Sequence, residues 1–389
     1  MYEEFFKYTH LQPVNIKNKE YYYKLINDLS DSFTSRLIGN FFHSANINLI
    51  ISELCQLLTN SIELYEKGYF DNAYYSLRSA NELATIMLDL SDKDSDTINK
   101  NMKLFLTKEY HKNRGQIIKE LSNEGIMFKE VINKMPNFKE EIKNLLSEIN
   151  QVIHMNGKEN LYGFREYLDS NFHEVKLKKF ENHFLSSIKI LAIFILIIDP
   201  LPLLLNDEEV YYRCPNLLTE PFSQELLSVI GEKSILEFEQ TENYISMKNQ
   251  LLKMEKRKPA VNDYVFMNIL DLEHMDDIYS QKHLLNEFQQ KCLEIVYRCN
   301  KITEIRTNNG FNRCTITPKS SNYICNVLTD EEMKNIKGNF NNNYNNIFVS
   351  ILGTFNDLDI TPKSELIYVF HEEKLNNDEI ISLKEMFIN

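Results

Sequence analysis

Residues 188–205 read IKILAIFILIIDPLPLLL, and from 190 to 198 the run contains no polar side chain. A helix over such a run is apolar on every face, so it has to be surrounded by other protein or by lipid. The unbroken part is about half of the ~20 residues needed to cross a bilayer. Lys189 stands at one end and Asp199 with Pro200 at the other. The run is therefore expected to be the buried centre of a helical bundle, with no membrane involved. The rest of the chain has to supply the helices that enclose it.

Those helices are legible from periodicity. Over 45–67 the apolar positions Ile47, Leu49, Ile50, Leu54, Leu57, Leu58, Ile62 and Leu64 recur every three or four residues, as one face of an amphipathic helix requires. The link over 67–71, Lys-Gly-Tyr-Phe-Asp, carries a glycine stop and then an aspartate start. A second helix over 72–90 turns Ala73, Leu77, Ala80, Leu83, Ala84 and Met87 inward. Further helices are expected over 97–110 and 115–133, and again over 181–198. Between them, Pro136 and Asn137 start one with Phe138, Ile142, Leu145, Leu146, Ile149 and Ile153 in register. With only 10 glycines and 9 prolines in 389 residues, long helices are easier to build than a turn-rich sandwich. Short links between long helices argue for an antiparallel bundle. In the loop SDKDSDT, Asp92, Asp94 and Asp96 alternate as calcium ligands do. Thr97 and Lys103 stand where such a loop needs Gly and Glu, so these acids are read as caps for the next helix.

A chain of this length has room for two or three domains. Periodicity breaks and prolines cluster over 199–222, which places a boundary near residue 210, with a bundle over 1–210 and a smaller α+β region over 211–389. In the latter, helical patterns run over 222–255 and 279–299. A β-hairpin is expected near 302–317, with Asn309-Gly310 as its turn and β-branched residues on both arms. The stretches 346–355 and 364–373 read as strands that join it, and the Asn-rich segment 335–346 as a loop. The fold class is thus mostly α.

The formal charge of -13 argues against strong non-specific nucleic-acid binding, which needs a basic balance or a concentrated basic patch, and leaves room only for a local RNA-contacting cleft. The two short basic clusters, Lys176 with Lys178 and Lys179, and Lys256 with Arg257 and Lys258, read as solvated faces. The six cysteines include no C-x-x-C pair, and Cys292 and Cys299, seven apart, share a helix face as core residues do. The opening MYEEFFKYTHLQP has no basic stretch followed by an apolar one, so no signal peptide is expected, and reduced thiols in a cytoplasm fit best. No phosphate loop, dinucleotide fingerprint or nucleophile elbow occurs, and no cofactor or metal is expected. The segment DLEHMDDIY, with Glu273, His274 and Asp277, reads as a solvated acidic helix end.

Two segments carry a resemblance. IELYEKGYFDNAYYSLRSANELATIMLDL, over 62–90, joins two helices through Gly68-Tyr69, followed by Ala73, Ala80 and Glu82 on a helix rich in small and aromatic residues. EINQVIHMNG, over 148–157, holds Asn150 and His154 on one helix. Together, over about 40–205, they resemble the HEPN family of helical bundles, whose nuclease members carry an R-x(4–6)-H motif, often R-N-x-x-x-H. Asn150 and His154 stand at matching positions, and Ile149 stands where the motif arginine belongs. Metal-independent RNA cleavage needs a base for the 2′-hydroxyl proton, which His154 suits, and a fixed cation for the developing phosphate charge, which Ile149 cannot supply. Asn150 would orient His154 or bind phosphate. Arg78, four residues before Glu82, is the bundle's candidate substitute, although Arg and Glu at that spacing also form an ordinary ion pair. A literal R-x6-H, Arg36 to His43, precedes the first long helix and is out of place for the motif.

Three readings follow. The resemblance implies a dimerising or partner-binding module, a sensor or regulator in a bacterial stress or anti-phage system, that has lost the catalytic arginine. Alternatively the chain is a ribonuclease acting on RNA through His154 and a relocated arginine, with Lys143, Lys158 and Arg165 supplying local positive charge. In the third reading the C-terminal region is the effector and the bundle its scaffold.

Overall fold

The computed structural model describes residues 13–32, 41–157, 160, 172–214, 219–308, 312–318, 328–344, 346–355 and 365–386. The chain is mostly helical and carries one six-stranded mixed sheet. It divides into two compact units, Met1–Tyr211 with Leu217–Met254, and Tyr212–Asn216 with Glu255–Asn389.

In the first unit the principal helices are α1 (Lys19–Ser30), α2 (Phe41–Glu66), α3 (Phe70–Asp89), α4 (Ser95–Leu106), α5 (Arg114–Glu124), α6 (Met127–Lys134), α7 (Phe138–Ile153) and α8 (Phe172–Ile198). Beyond two single turns at Leu201–Leu204 and Glu208–Tyr211 come α9 (Gln224–Ile230), α10 (Glu232–Phe238) and α11 (Glu242–Leu251). The apolar run lies in α8, where residues 190–198 are all buried. Part of α8 is long and apolar enough to cross a membrane, and 72% of its most apolar window is buried inside the protein. It packs against α1, α3, α6, α7 and α9. Aromatic rings fill the space around it: Tyr65 stacks on Phe180 at 4.0 Å, and Phe128 and Phe138 meet Phe194 edge-on.

The α2–α3 link behaves as its glycine predicts. Gly68 adopts φ 86, its N–H donates to the Tyr65 carbonyl and that of Tyr69 to Leu64, which satisfies the last carbonyls of α2. Most of the predicted inward face of α2 is buried, but Leu49 is 68% exposed. Asp94 caps α4 by accepting from the Thr97 N–H at 3.0 Å, as the alternating acids suggested. Asp92 has a different task. The single helix expected over 115–133 is two, α5 and α6, broken at Gly125. The Asp92 carboxylate accepts from the Met127 and Phe128 N–H groups at 2.6 and 2.7 Å and so starts α6. A Cβ on Gly125 would sit 2.5 Å from the Leu121 carbonyl oxygen and 2.9 Å from Asp92 Oδ2, so only glycine fits the break.

The first unit also extends past the break in periodicity near 210. Leu226 and Ile230 of α9 are buried, and α9 packs on α8 and α1. Helices α9 to α11 therefore belong to the bundle's unit, which runs to Met254.

The second unit is built from α12 (Pro259–Met267), β1 (Ile269–Asp271), α13 (Glu287–Arg298), β2 (Ile302–Thr307), β3 (Arg313–Thr317), β4 (Asn342–Tyr344), β5 (Ile347–Phe355), β6 (Glu365–His371) and α14 (Asn377–Glu385). The sheet order is β1-β3-β2-β6-β5-β4; β1 runs parallel to β3 and every other pair is antiparallel. The hairpin arms β2 and β3 pair as expected, while the turn Asn309-Gly310 lies outside the described residues. Of the two later strands β6 pairs with the hairpin, and β5 pairs with β6. The Asn-rich stretch contributes the short edge strand β4 rather than loop alone. Tyr264, Cys292, Val296, Ile305, Cys314 and Val369 form one core, and Met333, Val349, Tyr368 and Phe370 a second. Among the described residues every cysteine is buried and none forms a disulfide.

Candidate functional site

The strongest feature of the first unit is a cavity of about 880 Å³. Helix α3 contributes Arg78 and Glu82, the start of α5 contributes Asn113, Arg114 and Ile118, and α7 contributes Lys139, Glu140, Lys143, Leu146 and Asn150. Arg78 Nε lies 2.7 Å from Glu82 Oε1, the ordinary i,i+4 pair on α3, with both side chains partly exposed. Such a pair holds its geometry but adds little stability.

Arg114 is different. Asn113 and Gln116 close a reciprocal capping box, Gln116 N–H donating to Asn113 Oδ1 at 3.0 Å and Asn113 N–H to Gln116 Oε1 at 3.1 Å. The box starts α5 and leaves Arg114, its first residue, with no capping task. Its Nε, Nη1 and Nη2 are all buried, and among the described residues none has a hydrogen-bond partner. Burial pushes the guanidinium down to about 9; the Glu82 carboxylate opposes that shift and the Arg78 cation adds to it. The group is still protonated at neutral pH, so a cation is held out of water without a bonded partner. Across the same cavity the Asn150 Oδ1 is also buried and unbonded.

The sequence-derived residues are thus divided. Arg78, Glu82 and Asn150 line one cavity; His154 does not. It ends α7, exposed, its N–H bonded to the Asn150 carbonyl at 2.9 Å. Ile149 has 0% exposure and packs inward with Phe138, Ile142, Leu145 and Val152. Of the literal R-x6-H, His43 is buried and Arg36 lies outside the described residues, as do Lys158 and Arg165. Arg114 was passed over in the sequence. The signal that could have found it is Asn113-x-x-Gln116, a helix start that places an arginine at the first position facing the 78–82 turn of α3.

Most of the bundle's polar interior lies elsewhere and is hydrogen-bonded or ion-paired. His183 on α8 contacts the Tyr74 hydroxyl through Nδ1 at 3.1 Å and the Glu148 carboxylate through Nε2 at 2.8 Å. Burial lowers its pKa, with Glu148 pulling the other way. Asn81 donates to Ser187 Oγ at 2.8 Å. Asp89, fully buried, is neutralised by Lys93 at 2.7 Å and Lys112 at 3.1 Å.

In the second unit a serine and a histidine meet, Ser350 Oγ 2.9 Å from His371 Nε2. Both have 0% exposure, Ser350 also accepts from the Asn341 N–H, and His371 Nδ1 bonds the Glu373 carbonyl. A hydroxyl so enclosed and satisfied offers no nucleophile. In the acidic segment Asp271 holds His274 at 2.7 Å and Asp277 holds Lys258 at 2.8 Å, near the surface. Among the described residues no cluster of His, Cys, Asp and Glu could hold a metal ion.

Comparison with protein-family models, with curated proteins and with solved structures finds no match to this chain.

Proposed function

We propose that the first unit is a HEPN-like bundle without the nuclease constellation, and that the protein acts by binding, as a regulator or sensor in a stress or anti-phage system. The observation that carries this reading is Ile149, which stands at the motif arginine position and is wholly enclosed among the apolar side chains of α7 and its neighbours. An arginine there could not be presented to a substrate without opening the core. His154 is left alone at the exposed end of α7, and a lone imidazole supplies a base with no cation to hold the phosphate charge. The binding partner is a second copy of the chain or another protein.

The test pairs an activity with a mass. Purified wild-type protein and His154→Ala are incubated with RNA in chelator, and the molar mass is read by light scattering. The expected result is no 2′,3′-cyclic phosphate ends from either protein and a mass above that of the monomer. Cleavage by wild type that disappears in His154→Ala would overturn the reading. It would favour a ribonuclease that borrows Arg78, a reading supported by Arg78 and Asn150 lining one cavity.

A further inference from the structure

The cavity between α3, α5 and α7 holds a charged group that nothing else in the bundle uses. Asp89, Lys93, Lys112 and Glu120 neutralise one another a short way along the same helices. Arg114, two residues after Lys112, has no such arrangement: among the described residues its three guanidinium nitrogens are buried and unbonded. The Asn150 side-chain oxygen is buried and unbonded on the facing helix. Neither satisfies the other, so they are held farther apart than a hydrogen bond, on the wall of one 880 Å³ space. That volume lies in the range of small-ligand sites, about 300–1,000 Å³.

The charge of the lining points to the sign of the occupant. Arg78, Arg114, Lys139 and Lys143 face two carboxylates, Glu82 and Glu140. The α5 N-terminus opens on the same space, and its helix dipole adds partial positive charge. Glu82 is already engaged by Arg78, at 2.7 Å. Against these polar groups stand Ile118, Pro136, Ile142 and Leu146, an apolar wall with no use for a bare inorganic ion.

We propose that this cavity binds a small organic phosphate, its phosphate group taken by Arg114 with Lys143 and the start of α5, and its body seated on the wall formed by Ile118, Pro136, Ile142 and Leu146. A phosphate, with three oxygens in different directions, can meet cations on two helices at once, whereas a planar carboxylate is satisfied by one guanidinium. The Arg114 nitrogens are closed to water at rest, so the anion meets them when the side chain turns out into the cavity. Ending the unpartnered burial of that cation favours the turn. The Asn150 amide then lies within reach of a ligand hydroxyl or amino group. This inference does not depend on the bundle being HEPN-like, on its oligomeric state, or on RNA cleavage.

The experiment is isothermal titration of the full chain with phenyl phosphate, inorganic phosphate, benzoate and a 5′-phosphorylated RNA tetranucleotide. Phenyl phosphate is expected to bind with a Kd below about 1 mM, and at least about tenfold more tightly than inorganic phosphate or benzoate. Arg114→Met is expected to weaken it about tenfold or more, with the circular dichroism unchanged. Lys143→Met, at an exposed position that cannot unfold the bundle, is expected to weaken it about threefold and to reduce its salt dependence. Benzoate binding as tightly as phenyl phosphate would overturn the phosphate assignment. The tetranucleotide binding far more tightly than phenyl phosphate would replace a small ligand with single-stranded RNA. No binding of phenyl phosphate by wild type, or equal binding by wild type and both variants, would remove the site.

Discussion

A buried cation without a bonded partner should make the native protein less stable than it could be, and Arg114 tests this. Moving the guanidinium from its ordinary range to about 9 is a loss of more than a thousandfold in proton affinity. At 1.36 kcal/mol per tenfold this is roughly 4–5 kcal/mol against the charged form. That figure is an upper bound, because the side chain can relax toward the cavity and part of the cost is recovered from the Glu82 carboxylate. Arg114→Met keeps the apolar stem and removes the charge, leaving Glu82 paired with Arg78. The expected result is stabilisation of the first unit by about 2 kcal/mol, or a rise in Tm of about 4–8 °C for a unit of this size. Thermal unfolding of the intact chain followed by far-UV circular dichroism reads it, since the first unit holds most of the helix. An Arg114→Met protein that melts earlier than wild type would refute the reasoning: the guanidinium would then be making bonds that hold α5 in place.

Other consequences are directly testable. Ile149→Arg, which restores the motif residue, should destabilise the bundle by about 4 kcal/mol or more, because the position has no exposure, and should yield no RNA cleavage; a folded, active variant would sink the core assignment. Gly125→Ala should cost about 2–3 kcal/mol by displacing Asp92 from the start of α6, seen as faster amide exchange at Met127 and Phe128. Glu82→Gln should lower the unfolding free energy read by urea titration by about 1 kcal/mol, because it loosens Arg78 and removes the carboxylate that offsets the buried Arg114 charge. His43, His183 and His371 all lie below the ordinary histidine range because burial disfavours the imidazolium. As pH falls through ~6.5 the unfolded chain takes up protons first, so stability present at pH 7.5 is lost progressively below that point. The urea midpoint should therefore be lower at pH 5.5 than at pH 7.5, and a flat profile between them would refute the burial of these rings.

The helical half was legible because its signals are local. The 190–198 run, the three-to-four spacing of Ile47 to Ile62, and Gly68 each act within a few residues, and the structure uses them as read. What was missed depends on distant partners. Gly125 breaks a periodic stretch only because Asp92, 33 positions earlier, waits to cap the next helix. Helix α9 follows a proline-rich break yet returns to α8, which periodicity cannot foretell. β4 and β1 are three-residue strands whose only reason to be extended is a neighbour to pair with. The site divides in the same way. Arg78 and Glu82 are a helix-spaced pair and can be seen in one dimension, and Ile149 fits the α7 stripe. The meeting of Arg114 with Asn150 across a cavity is a property of the packing alone.

The order of strands in the second unit also has a consequence for synthesis. Among the described residues β6 is the last strand of the sheet in chain order, and it occupies the middle of the sheet between β2 and β5. Until residue 371 has been added, β1, β3 and β2 can pair, but β2 presents an open edge along 302–307, and β4 with β5 presents another. At translation rates of about 5–20 residues per second, the gap from 307 to 371 leaves β2 uncovered for roughly 3–13 s. An open strand edge of that duration invites pairing between neighbouring nascent chains on one message. Production of this protein should therefore be limited by aggregation of its incomplete second half, and chaperones that shield nascent chains should raise its yield, while the bundle, complete by residue 254, is already folded.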